Sequence, residues 1–496
     1  MNSKKAIWRT LAGVILFICI LAVCIRGVSL LTERKTAYEK NAVFMEEAKK
    51  GHLDVLWVGS SHVINGINPL RIYEKAGITS YDLGGYSAVL KTSYWNLKLA
   101  LQYCHPKVVM IDTYMVDDDV FYQDAPEANG DKSELHLNLD NYPLTKLKWE
   151  ALRDLFEKSE TRKEFLFDFQ VYHDRWKELD ENDFRRLTDT ARVNRLMGAD
   201  FKYTVYNRKI NYLRAEKDRN TFKETVGTQY LRKMIEECQA AGIEPVLMTL
   251  PFNASASDQQ AAWMAEEIAE EYGVPCLNLL GTDVIDLDLD LIDNGHMNIS
   301  GAEKVSDFMA EWLSEHKDLA DHRGEAGYEN WEELAEEFRN SQEEMALGQE
   351  NLYTQLMMLA RSDRSYILYI AGDSYVYADH KIGRLLGQLS GTAVPGVAAE
   401  GDLPYFLMND HGGIYEWAGT AEAAQIPSSA GVLEYYPLMN DFAMLTLESD
   451  KEENLLYSSK YPEAVVHLLF FDEDGEGFSE HQIYIGEESP YIYRNL

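Results

Sequence analysis

Basic residues are scarce in this chain. Against 82 aspartates and glutamates stand 47 lysines and arginines, a formal charge of -35 over 496 residues. Such a surface repels polyphosphate backbones and anionic lipid surfaces, which excludes nucleic acid as a partner. Cysteine is scarce too, with five residues. Cys19 and Cys24 fall in an apolar N-terminal run, leaving Cys104, Cys238 and Cys276 with no metal-ligand spacing. That argues against a zinc site and against a disulfide framework. Buried free thiols are the expectation, with one disulfide plus a spare left open. No internal repeat and no low-complexity tract is present, so a solenoid or a disordered chain is not indicated.

What is present is enough apolar material for folded domains. Hydrophobic residues make up 46% of the chain and aromatics 11%, and the length suits two domains rather than one. Lys4, Lys5 and Arg9 precede an uncharged apolar run from Leu11 to Ile25, which Arg26 interrupts before Gly27-Val28-Ser29-Leu30-Leu31. With its flanks the run spans a bilayer core of about 30 Å. The basic residues come first, so the positive-inside rule leaves the remainder outside the cell. Two rivals stay open: a cleaved signal peptide, and lipidation at Cys24 in Leu21-Ala22-Val23-Cys24. All three put the body of the protein outside the cytoplasm.

Residues 32–50 are polar and Lys/Glu-rich and read as a helical stalk. Leu53 to Val58 is a short apolar run, read as a buried strand, and it ends at Gly59-Ser60-Ser61-His62. A helix follows near Asn68-Pro69-Leu70, with proline suited to the first turn. A short strand then runs into Tyr81-Asp82-Leu83-Gly84-Gly85, a helix covers Lys91 to Gln102, and Val108 to Asp112 is another buried strand. This alternation signals a parallel α/β sheet. Residues 117–225 carry charges and aromatics with helical periodicity, and read as an inserted cap. The alternation resumes with a helix at Tyr230–Ala241, a strand at Pro245–Leu250, a helix over 258–272 and a last strand at Val274–Leu279. A final helix starts near Ser300 and runs through Trp312. Residues 319–362 are Glu-rich and helical and look like a connector. From 363 onward the composition turns to strands and turns, with Asp410-His411-Gly412-Gly413 as one turn.

A serine needs a base to accept its proton, a group to orient that base, and donors for the oxyanion that forms. In a parallel sheet, reactive groups collect at the carboxyl ends of the strands. Ser61 sits there after the first strand; Asp293 and His296 sit there after the last, three residues apart. His296 lies just before a helix, whose N-terminal amides favour negative charge nearby. The bland readings are a helix cap at Ser61 and a surface turn at Asp293 and His296.

Together, Gly59-Ser60-Ser61 and Asp293-Asn294-Gly295-His296 resemble the end blocks of the SGNH (GDSL-type) hydrolase superfamily. The longer string through Asn298, Gly301 and Ala302 is similar to its bacterial envelope branch, which includes the teichoic acid D-alanyl transfer protein and alginate O-acetylation proteins. The resemblance covers roughly residues 50–315. It implies Ser61 as nucleophile, His296 as general base and Asp293 as its orienter, with no cofactor and no metal. It also implies a flavodoxin-like three-layer α/β domain over 35–318 with a helical insertion. A membrane anchor (1–34) precedes that domain, and a β-rich C-terminal domain (363–496) follows the connector.

Two blocks depart from the family pattern. Where its second block ends in an oxyanion glycine, this chain has Gly84-Gly85-Tyr86-Ser87, putting Gly85 and Ser87 in that role. Where the third block offers an asparagine, this chain has Asp112-Thr113-Tyr114, with Tyr114 or Asp112 in its place and Tyr114 able to donate a hydrogen bond. The implied activity is that of an extracytoplasmic serine esterase or O-acyltransferase acting on envelope polysaccharide or another acylated glycan. A membrane-bound O-acyltransferase is the implied partner for transfer. The rival from another class is a non-catalytic envelope-binding or assembly protein on the same scaffold. Gly372-Asp373-Ser374 imitates the motif but has no downstream Asp-x-x-His, and reads as a turn. Tyr172 to Trp176 in the cap suits either a saccharide or phosphate contact or an internal ion pair.

Overall fold

The computed structural model describes residues 2–32, 40–124, 132–166, 169–185, 195–347, 352–361, 364–370, 376, 379–401, 403–419, 422–437, 443–449, 452–455, 466–471 and 478–483. The chain divides into two units. One comprises Met1–Lys202, Ile210–Leu287 and Asp293–Phe338; the other comprises Tyr203–Lys209, Asp288–Ile292 and Arg339–Leu496.

The first unit is built on a parallel sheet. Its strands are β1 (Val55–Val58), β2 (Ser80–Asp82), β3 (Val108–Asp112), β4 (Glu244–Thr249) and β5 (Cys276–Asn278), in the order 2-1-3-4-5. All four pairings are parallel. This is the flavodoxin-like doubly wound order, and its switch point lies between β1 and β3, where one connection leaves to each side. β1 and β3 are buried along their whole length. That explains their unbroken apolar runs: a strand covered on both faces needs no polar alternation.

Helices cover the sheet: α3 (Ser61–Gly66), α4 (Pro69–Ala76), α5 (Leu90–Ala100), α11 (Val226–Ala241), α12 (Ala256–Tyr272) and α13 (Ile299–His316). Their ends are set by local chemistry. Asn68 caps α4 by accepting from the Leu70 and Arg71 amides, with Pro69 in the first turn. Thr225 and Ser255 open α11 and α12 with capping boxes, and left-handed Gly242 and Gly273 close them.

Between β3 and α11 lies the insertion. It carries the short helices α6 (Lys132–Leu139), α7 (Lys146–Leu155), α8 (Ser159–Glu164), α9 (Phe169–Tyr172) and α10 (Glu181–Arg185), then irregular chain. Tyr172 donates to Asp140 Oδ2 at 3.2 Å, and Arg175 pairs with Asp183 at 3.4 Å. Arg175 Nη1 also donates to the Thr32 carbonyl at 2.9 Å. Its guanidinium therefore caps the C-terminal end of α1 (Asn2–Thr32). The cap's Tyr172–Trp176 stretch is thus occupied by internal contacts at Tyr172 and Arg175, while Trp176 is exposed.

Within α1, Ile7–Ser29 is long and apolar enough to cross a membrane, with a mean hydropathy of 2.7. Of the polar stretch after it, residues 33–39 lie outside the described residues, and residues 40–50 do not form a free stalk. α2 (Lys40–Lys50) is packed into the unit: Phe44 is fully buried edge-on against Tyr81, and Asn41 Nδ2 donates to the Leu137 and Asp140 carbonyls. Polar composition concealed this because the polar groups find partners nearly a hundred residues away. Nor is the chain after α13 a free connector at its start. His322 Nε2 sits 2.9 Å from Asp54, just ahead of β1, and Trp331 is fully buried in the first turns of α14 (Glu329–Leu347).

The second unit has helices α15 (Leu352–Leu359), α16 (His380–Ser390) and α17 (Val394–Gly401) beside two antiparallel sheets. One sheet holds β6 (Tyr366–Ile370), β7 (Tyr405–Asp410), β8 (Gly413–Ala418), β13 (Val466–Phe471) and β14 (Phe478–Ile483) in the order 14-13-6-7-8. The other holds β9 (Ala424–Ser428), β10 (Gly431–Pro437), β11 (Ala443–Ser449) and β12 (Glu452–Leu455) in sequence. Ile367, Phe406, Ile426, Leu433 and Leu469 share one core across the two sheets. The Asp410–Gly413 turn joins β7 to β8, with His411 in the left-handed region at φ 49°. Gly372-Asp373-Ser374 lies outside the described residues.

Candidate active site

The first candidate residue is positioned by a turn that leaves no spare room. β1 ends at Val58, and α3 begins at Ser61. A Cβ on Gly59 would come within 2.4 Å of Asp112 Cβ and 2.6 Å of Val63 Cγ2, so only glycine lets β1 turn so close to β3. Ser60 does the capping: its hydroxyl accepts from the His62 amide at 3.2 Å and donates to Asp112 Oδ2 at 3.0 Å. With the cap assigned to Ser60, the Ser61 hydroxyl is left for His296, whose Nε2 lies 2.8 Å away.

His296 is held from its other side. Its Nδ1 is 2.9 Å from Asp293 Oδ2 and 3.1 Å from Oδ1. Asp293 Oδ1 also accepts from the Gly295 amide at 2.7 Å and the His296 amide at 2.8 Å. Burial alone would push the Asp293 carboxyl up. The hydrogen bonds from the His296 ring and these two amides outweigh it and hold the group at about 2. An ionised carboxylate only accepts, so Nδ1 must carry the proton, and the Nε2 lone pair faces the serine. The loop is fixed to its surroundings at Asn294, which bonds Asn253 through backbone and side chain at 3.0 Å each. Met297 packs its methyl against Gly66 of α3, where a Cβ would fall 2.2 Å from that methyl. α3 and the Asp293–His296 loop are therefore locked together by direct packing.

A second histidine lies beneath the first. His62 is buried, its ring stacked on Tyr114 at 3.9 Å and edge-on to Phe252 at 4.7 Å and His296 at 5.5 Å. Burial, with the nearby His296 ring adding to it, drives the His62 imidazole down to about 3. The folded state therefore keeps His62 neutral while the unfolded chain takes up a proton below about pH 6.5. This contribution to stability is complete above that pH and is lost as the pH falls toward 3. His62→Phe is expected to retain the stack and remove that loss. Near pH 5 the difference amounts to about 2 kcal/mol, read as a flatter stability–pH curve than the wild type's in urea unfolding. Parallel curves for the two proteins would contradict it.

The expected oxyanion donors fare unevenly. The Gly85 amide donates to the Gly59 carbonyl at 3.1 Å, so it ties its loop to the Gly59–Ser61 turn and is not free for a substrate oxygen. This corrects the donor role expected for Gly85. Ser87 sits at φ 51°, the left-handed conformation that costs a non-glycine residue about 1 kcal/mol and that glycine adopts freely. Such strain concentrates at functional loops. Among the described residues, the amides of Ser87 and Ser61 have no acceptor. The Tyr114 hydroxyl likewise has no partner among them, and burial pushes it up, so it stays a neutral donor.

Several residues that shape this site carry no sequence signal. The loop bearing Ser87 is clamped by the insertion. Gln123 Nε2 donates to the Ser87 carbonyl at 3.1 Å, Asn138 Nδ2 to the Tyr86 carbonyl at 3.0 Å, and the Ser87 hydroxyl meets Glu134 at 3.3 Å. Two buried acids lie under the turn. Burial raises Asp112 to about 6 despite hydrogen bonds from Tyr114 and Ser60, and raises Asp82 against the pull of Lys40. Asp82 stands at the start of the second block and Asp112, two residues before Tyr114, in the third.

Among the described residues, no cluster of three or more His, Cys, Asp or Glu side chains is arranged to hold a metal. The five cysteines are free, and burial pushes the thiols of Cys104, Cys238 and Cys276 up to about 12.

No protein-family model matches the chain, and no curated protein matches it. Among solved structures, one similar to it is a protein from Desulfitobacterium hafniense DCB-2 whose description places it with lipolytic proteins of the G-D-S-L family. The two share 12% identity with a TM-score of 0.26, over 52% of this chain and 97% of that one.

Proposed function

We propose that this protein is an extracytoplasmic serine esterase or O-acyltransferase, a member of the SGNH superfamily's envelope branch, acting on acyl esters of cell-envelope glycans. One observation carries the reading: the continuous relay Ser61 Oγ–His296 Nε2 at 2.8 Å and His296 Nδ1–Asp293 Oδ2 at 2.9 Å. In the proposed reaction Ser61 attacks the acyl carbonyl as His296 takes its proton. The tetrahedral oxyanion draws on the amides of Ser61 and Ser87 and the Tyr114 hydroxyl. Collapse expels the alcohol, protonated by His296, and leaves an acyl-Ser61 ester. Water or a glycan hydroxyl then completes the cycle by the reverse path.

The membrane-length helix near the N-terminus, with Lys4, Lys5 and Arg9 at its N-terminal end, supports a single-pass anchor with the site outside. No acyl-CoA is at hand there, so hydrolysis of envelope esters, or transfer from a membrane-bound O-acyltransferase, are the two routes to an acyl group. An assay on O-acetylated envelope polysaccharide tests the proposal. Release of acetate, or its movement to an added glycan, is expected from the full chain in detergent. Neither product, with the relay intact, would favour the second reading, a non-catalytic envelope-binding protein. The observation behind that reading is the third block, where Asp112-Thr113-Tyr114 offers no asparagine side chain to the oxyanion.

A further inference from the structure

A cavity of about 530 Å³ lies between the outer end of α1 and the insertion. Ile25, Arg26 and Ser29 line it from the helix; Leu144, Lys148 and Phe165 line it from the insertion. From this cavity we infer a binding site for the phosphodiester of a membrane phospholipid, held by Arg26. The inference rests on α1 lying in a bilayer, and not on the chemistry of Ser61.

Four observations converge on it. Arg26 stands three residues inside the end of the Ile7–Ser29 span, about 5 Å along a helix axis, from where its long side chain reaches outward to the level of lipid phosphates. Among the described residues its guanidinium has neither a carboxylate nor a carbonyl partner. The other charged groups lining the cavity are engaged. Lys148 Nζ donates to the Tyr142 carbonyl at 2.8 Å; Asp140, which also lines the space, has one oxygen 2.9 Å from His136 Nδ1 and the other 3.2 Å from the Tyr172 hydroxyl. The unmet charge in the cavity is therefore cationic and forked, the geometry that grips a phosphate with two parallel hydrogen bonds.

Second, the wall supplied by α1 continues downward as exposed apolar side chains from Phe17 to Val23, a track for acyl chains. Third, large side chains are exposed on the insertion segments at and beyond this wall: Leu144, Trp149, Trp176 and Phe184. Tryptophans of this kind settle at the membrane–water boundary. Fourth, the volume suits a headgroup with the first carbons of its tails and is far too small for a partner's helix, which is at least 10 Å across. The overall acidity of the chain repels anionic bilayers, so the local Arg26 contact acts on the phosphate alone and a zwitterionic phospholipid satisfies it.

The test uses the full chain, reconstituted first into nanodiscs to establish that α1 inserts; failure there would remove the membrane reading itself. The inserted protein, moved to detergent, is then titrated with phosphatidylethanolamine, with a diacylglycerol of the same tails, and with inorganic phosphate, reading the melting temperature and native mass spectra. Phosphatidylethanolamine is expected to bind and raise the melting temperature, and the other two are not. Arg26→Gln should weaken that binding about tenfold or more, Arg26→Lys less, and Arg9→Gln at the opposite end of α1 should leave it unchanged. Equal binding of diacylglycerol, saturation by inorganic phosphate, unaltered binding by Arg26→Gln, or equal loss in Arg9→Gln would each overturn the inference.

Discussion

Alanine at position 61 is expected to lower ester turnover by about 10⁴-fold or more, with the fold intact. The expectation of a preserved fold follows from the division of labour at the turn. Ser60 carries the structural load, capping α3 and bonding Asp112, while the Ser61 hydroxyl bonds His296. Removing that hydroxyl takes away one partly exposed hydrogen bond, worth about 1 kcal/mol, and the entire nucleophile. Ser60→Ala should do nearly the converse. It strips the cap and the Asp112 contact, at a cost of about 1–2 kcal/mol in stability, and leaves the nucleophile in place. Steady-state hydrolysis of an acetyl ester beside urea unfolding separates the two. Comparable activity in Ser61→Ala and wild type would remove Ser61 from the mechanism.

Asp293→Asn is expected to cost on the order of 10³–10⁴-fold in kcat with little change in KM. The geometry says why an isosteric change should matter so much. Asp293 Oδ1 accepts from two amides, Gly295 and His296, so the carbonyl oxygen of an asparagine must take that place. Its NH₂ group then falls where Oδ2 was, 2.9 Å from His296 Nδ1. An NH₂ donates, so Nδ1 becomes the acceptor and the ring proton moves to Nε2. The proton then points at Ser61, and the imidazole can no longer accept from the hydroxyl. Because the Asp293 carboxyl is held at about 2, it remains ionised through the working range. An acid limb in the wild-type pH–rate profile is therefore not expected from this group, and its contribution to folding is lost only as the pH falls toward 2. Retention of kcat by Asp293→Asn would contradict the tautomer argument.

What the sequence makes legible here follows from which interactions are local. Val55–Val58 and Val108–Asp112 are apolar because both faces of the sheet are covered, and that pattern is visible without knowing what covers them. Ser61, Asp293 and His296 are legible as chemistry at the carboxyl ends of the first and last strands, and the structure brings all three side chains into one hydrogen-bonded line. What depends on distant partners is hidden. α3 has six residues, too few for a helical period to register. α2 looks solvated because Lys40 and Asn41 are polar, yet both are buried against residues far along the chain. Gly85 reads as an oxyanion donor until the Gly59 carbonyl is seen to occupy its amide. The clamp of Gln123, Glu134 and Asn138 on the Ser87 loop comes from an insertion whose sequence announces helices and nothing about their target.

The central claim is that the Ser61 hydroxyl is activated by His296, and reaction with a fluorophosphonate probe tests it most directly. The probe forms a stable ester only with a serine whose proton can be withdrawn, so no natural substrate need be known. The account predicts a single adduct, mapped by peptide mass spectrometry to Ser61, absent in Ser61→Ala and strongly slowed in His296→Ala. An intact wild-type protein that takes up no probe, or a Ser61→Ala variant that labels as well as wild type, would contradict it.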